Sequence, residues 1–88
     1  MMTTMNKVLV EIFLPAANTS FDVYLPLESR MSEVLVLVST LLSDLAAGKY
    51  KATAGNAVLC DASTGIIFNI NMTVSELGIQ NGSKLMLI

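Results

Sequence analysis

Val8, Val10, Ile12 and Leu14 alternate with Leu9, Glu11 and Phe13, and beyond the break Pro15-Ala-Ala-Asn18 a second alternation sets Thr19, Phe21, Val23 and Leu25 against Ser20, Asp22 and Tyr24. A period of two marks a strand with one buried face, and two such runs joined so closely make a hairpin. One register serves both runs at once: Ile12 opposite Phe21, Val10 opposite Val23 and Val8 opposite Leu25. A slip of one residue would turn a whole strand inside out, so the apolar pattern predicts the pairing. The same register sets Glu11 against Asp22 on the other face, a like-charge pair that costs some stability. Paired carboxylates can act as acid and base or hold a metal, but a sheet surface is no cleft and no third ligand is in view. A solvated pair with Lys84 as neighbour is the expectation.

Pro26 ends the second run, because its missing amide cannot serve a continuing ladder. A helix is predicted from Met31 or Ser32, with Val34, Leu37, Val38, Leu41 and Leu45 as its buried stripe, Ser29 or Ser32 as cap and Gly48 as stop. Leu35 and Leu42 lie one heptad apart, off that stripe with Ala46; they form a contact seam for a homodimer or widen the core face. Lys49 to Asn56 reads as a polar loop. Ala57–Asp61 and Ile66–Ile70 read as two short strands about the turn Ala62-Ser-Thr-Gly65, Thr73–Leu77 as a helical turn, and Ser83–Ile88 as a last strand after Asn81-Gly82. The order strand, strand, helix, strand, strand, strand predicts an α+β domain in which one helix packs on a five-stranded mixed sheet. The final strand is expected beside the first and parallel to it, a β-grasp arrangement.

A chain of 88 residues makes one domain, taken as 1–88 with 1–6 flexible. With 53% hydrophobic and only 14% charged residues it must fold. The net charge of -2 leaves no footprint for a phosphate backbone, so nucleic acid is excluded as a partner. Without His, and with Cys60 alone, the usual bases, nucleophile pairs and zinc ligand sets are missing, so neither enzyme activity, metal nor cofactor is expected. The single Cys fits a reducing compartment. No apolar run reaches the ~20 residues a spanning helix needs, and Met1 to Lys7 has no apolar leader. The expected place is the cytoplasm, with no direct membrane insertion.

The stretch Met72-Thr-Val-Ser-Glu-Leu-Gly-Ile-Gln-Asn-Gly-Ser-Lys-Leu-Met-Leu-Ile88 resembles the last part of ubiquitin-like domains, where a threonine- or leucine-led turn precedes an isoleucine, a polar tight turn and a leucine-alternating strand. With the opening hairpin and the helix in order, the resemblance covers nearly the whole chain. Within that superfamily it is most similar to the small YukD-like proteins of type VII secretion systems of Gram-positive bacteria, which share the "leucine, glycine, isoleucine, then asparagine-glycine" ending. Conjugated relatives and sulfur carriers end in a flexible glycine pair, whereas Met86-Leu87-Ile88 runs in the strand, so covalent transfer is not expected. The resemblance implies a non-enzymatic, non-conjugated adaptor whose partners are the membrane-embedded secretion machinery or regulators, holding it at the membrane through a protein. The alternatives are a sulfur-carrier-like protein and a regulatory subunit of a multicomponent enzyme.

The resemblance also implies that the sheet face away from the helix binds partner proteins. The expected residues there are Leu9, Phe13, Leu59, Met86 and Ile88, an apolar set that soluble monomers seldom leave uncovered. Cys60 reads as a small buried hydrophobe. Asn56, Asn69, Asn71 and Asn81 read as servants of turn geometry, and Lys49 and Lys51 around Tyr50 are too few charges for a membrane patch.

Overall fold

The computed structural model describes residues 6–45 and 57–88. Strands β1 (Lys7–Leu14) and β2 (Thr19–Pro26) form the opening hairpin. Between them Pro15–Ala17 makes one 3-10 turn, closed by the Asn18 amide donating to the Pro15 carbonyl at 3.1 Å. Asn18 sits at φ 50°, a left-handed conformation that asparagine tolerates better than most side chains. The register is the one the alternation demands, with Val8, Val10 and Ile12 facing Leu25, Val23 and Phe21.

Helix α1 (Met31–Leu45) follows, then β3 (Leu59–Asp61) and β4 (Lys84–Leu87). β4 runs parallel to β1, with Ile12 beside Leu85, and antiparallel to β3, with Leu59 beside Leu87. The sheet order β2-β1-β4-β3 is that of a ubiquitin-like β-grasp fold. Its inner face, from Val10 and Ile12 to Leu85 and Leu87, joins Met31, Val34, Val38 and Leu42 of the helix in one core. Each such side chain contributes about 1.5–3 kcal/mol by leaving water.

Among the described residues the sheet has four strands where the sequence predicts five. Of Ile66–Ile70 only Ile67 pairs, in a single bridge to Cys60. Just beyond it the backbone is drawn to the start of the helix: the amides of Ser32 and Met31 donate to the carbonyls of Ile70 and Met72 at 3.0 and 2.8 Å. The first helical amides have no partner inside their own helix, so this segment supplies one instead of extending the ladder. The cap itself differs from Ser29 or Ser32: Arg30 precedes the helix and its amide donates to the Glu33 carboxylate at 3.0 Å.

The buried stripe of α1 is also rotated from the predicted one. Val34 and Val38 are buried as expected, but Leu37 and Leu41 face solvent, while Leu42 is fully buried and Leu35 is half-buried against the core. Of the two readings of Leu35 and Leu42, the widened core face is therefore the one observed, and the contact seam is not formed. With Val or Leu at every position from 34 to 38, two neighbouring faces of this helix are apolar, and periodicity alone does not choose between them. Asn6 already belongs to the fold, since its carbonyl accepts from the Leu27 amide at 2.9 Å. The remainder of the segment expected to be flexible, together with Ala46, Gly48, Lys49, Tyr50, Lys51 and Asn56, lies outside the described residues.

Candidate functional site

The sheet face opposite the helix is organised in rows by the strand registers. One row runs Ser20, Phe13, Met86 and Cys60, and the bridge from Cys60 carries it on to Ile67. The next runs Asp22, Glu11 and Lys84. Beyond that stand Tyr24 and Leu9. On the other flank of the first row Ile88 continues the alternation of Lys84 and Met86, and it exchanges backbone hydrogen bonds with Val58 in both directions at 2.8 and 2.9 Å. A charged stripe thus separates an apolar region around Phe13, Met86 and Ile88 from a smaller one at Leu9 and Tyr24.

Four of the five residues expected on this face are there: Leu9, Phe13 and Met86 half-buried and Ile88 exposed. Leu59 is not. It pairs with Leu87 on the inner face and is buried in the core. Both Leu59 and Cys60 are apolar enough to face inward, so parity along a three-residue strand is not written in its own composition; the pairing with Met86 and Leu87 decides it. Ile67 and Val58 extend the patch beyond the residues the sequence singled out, and only the bridge and the β3–β4 register bring them in.

Cys60 is buried on this face, and its thiol donates to the Met86 carbonyl at 3.6 Å. Burial, and secondarily the neighbouring Asp61 carboxylate, pushes the thiol above its ordinary pKa. It is therefore a poor nucleophile at neutral pH. Asp61 is shifted the other way. The Ser63 hydroxyl and then the Ser63 amide donate to its Oδ1, at 2.6 and 2.8 Å, and stabilise the ionised form. This Asx turn reverses the chain after β3, with Gly65 at φ 78° completing it.

Two of the asparagines, Asn69 and Asn81, serve the backbone through their side chains. Asn81 Oδ1 accepts from the Leu9 amide at 2.7 Å, Gly82 donates to the Leu9 carbonyl at 2.9 Å, and Asn69 Oδ1 accepts from the Asn71 amide at 2.9 Å. The turn Asn81-Gly82 thereby docks on β1 and fixes where β4 enters. Among the described residues no group of three acidic, His or Cys side chains gathers as a metal site, and no helix is long and apolar enough to cross a membrane.

No protein-family model matches the sequence, and no curated protein matches it. Solved structures do. The chain is similar to the ubiquitin-like domain of the Mycobacterium tuberculosis type VII secretion system protein EccD1, with TM-score 0.74 and 17% identity over 96% of this chain and 99% of that one. It also matches part of a MycP5-free ESX-5 inner membrane complex, with TM-score 0.77 and 16% identity, covering 93% of this chain and 20% of that one. A chain of the toluene 4-monooxygenase HD complex is similar as well, with TM-score 0.77 and 15% identity over 93% and 96% of the two chains. At these identities the likeness shows the fold, a ubiquitin-like β-grasp, which the chain shares with domains of type VII secretion components and with a chain of a monooxygenase complex.

Proposed function

We propose that the protein is a non-enzymatic ubiquitin-like adaptor of a bacterial type VII secretion machine, docking without covalent attachment through Phe13, Met86 and Ile88, with Leu9 at the margin. The observation that carries this is the apolar row Phe13–Met86–Cys60–Ile67 on the side of the sheet that the helix leaves uncovered. Its likeness to an EccD1 domain and to part of an ESX-5 inner membrane complex supports the choice of machine. On this reading the domain works on the cytoplasmic side, held near the membrane by its protein partner. YukD-like proteins remain the group whose ending it most resembles.

The test is co-purification from the native host of wild type and of a Phe13→Asp, Met86→Asp double variant. Loss of secretion-machine components from the folded variant supports the docking face; retention of all of them removes it. A second reading, a regulatory subunit of a multicomponent oxygenase, draws on the toluene 4-monooxygenase match. Co-purification of oxygenase subunits in place of secretion components would select it.

A further inference from the structure

The half of the outer face away from Met86 carries its own ordered pattern. The outward side chains of β1 follow in the order Lys7, Leu9, Glu11, with Tyr24 beside Leu9 and Asp22 beside Glu11. With Asn81 and Gly82 they line an open cavity of about 460 Å³. One end is cationic at Lys7, the middle is apolar and aromatic, and the other end is anionic at Asp22 and Glu11, with Lys84 flanking Glu11 on the β4 side and leaving that row one negative charge in excess. At ~3.3 Å per residue the charged ends lie about 13 Å apart.

We propose that the occupant of this groove is a second copy of the chain, packed face to face about a two-fold axis along the Tyr24–Leu9 row. Such an axis reverses the strand direction. Lys7 of each copy then comes over Glu11 of the other and diagonal to its Asp22, while Tyr24 and Leu9 meet their own counterparts. The sign of charge changes across the axis, which is the condition for a self-complementary contact. A purely basic peptide would suit Glu11 and Asp22 but be repelled by Lys7, and an acidic one would meet the reverse problem. Tyr24 lies on an edge strand and is 62% exposed, so it reaches the second copy without unpacking anything. A patch confined to half of one sheet face falls in the small, weak and reversible class of interfaces. The Met86–Ile88 half lies away from the axis, so this contact shares only the marginal Leu9 with the partner docking proposed above.

Sedimentation equilibrium over a range of concentrations tests it. Wild type should rise in mass from the 9.4 kDa monomer toward the dimer, less so at high salt. Lys7→Glu alone and the pair Glu11→Lys, Asp22→Lys should each weaken association at least tenfold, and an equimolar mixture of the two should restore it, because opposite signs then meet at both ends. Tyr24→Arg, at an exposed position that does not contribute to the core, should abolish it; this variant stands in if the double lysine variant fails to fold. Met86→Asp should leave the mass distribution unchanged. A wild type that stays monomeric at its highest soluble concentration, a mixture that stays monomeric, or dimers lost in Met86→Asp would each overturn the proposal.

Discussion

Thr73 and Glu76 cap each other: the Glu76 amide donates to Thr73 Oγ1 at 3.0 Å, and the Thr73 amide donates to the Glu76 carboxylate at 2.9 Å. This reciprocal box holds the turn that places Val74 and Ile79 in the core, and Thr73 also bridges to Arg30 at the start of α1. Thr73→Ala should therefore cost about 1 kcal/mol, which lowers the melting temperature of a domain this size by about 4–8 °C. Thermal unfolding followed by circular dichroism measures it.

The rotated stripe of α1 has a direct consequence. Leu42→Ala should destabilise the domain by about 2–5 kcal/mol, whereas Leu37→Ser, at a position 53% exposed, should cost less than about 1 kcal/mol. Urea unfolding of the two variants side by side gives the comparison. A larger cost at Leu37 than at Leu42 would mean that the helix is turned the other way.

The opening hairpin was legible in full, because each strand alternates cleanly and the partner strand repeats the pattern, so Ile12, Val10 and Val8 had only one sensible set of partners. The central placement of the last strand was legible too, since a chain segment with no near neighbour in sequence must find its partner elsewhere, and Leu85 and Leu87 matched the inner face of β1. What the sequence did not decide were segments that are apolar on both sides. Leu59-Cys60 and the run Val34 to Val38 have hydrophobic residues at adjacent positions, so either parity or either helix face would bury them. The lost fifth strand had a different cause: Ile66–Ile70 has ample strand propensity, but the open amide of Ser32 takes the Ile70 carbonyl, and that of Met31 takes the Met72 carbonyl just beyond. The outer face was recognised through four residues, and Ile67 was missed because a single bridge leaves no mark in composition.

Asp61 makes stability depend on pH in a definite direction. Its pKa is depressed in the folded state by the Ser63 hydrogen bonds, so its contribution is complete above the unfolded aspartate value of about 3.9 and is lost as pH falls through the lower folded value. Urea midpoints of wild type and Asp61→Asn should differ at neutral pH and converge in acid. A difference that is constant with pH would show that the Ser63 bonds favour neither protonation state.

Cys60 should resist alkylation. Its burial and raised pKa both reduce the exposed thiolate, so iodoacetamide should react much more slowly with the native protein at neutral pH than with the urea-unfolded chain. Mass spectrometry of timed samples reads the two rates. Equal rates would place the thiol in solvent.

Site-specific photocrosslinking tests the docking face most directly. With a photoreactive amino acid at Phe13, Met86 or, as control, at the exposed helix residue Leu37, the account predicts that a type VII secretion component is captured in cells from Phe13 and Met86 and not from Leu37. Capture of such a component from Leu37 alone would contradict it.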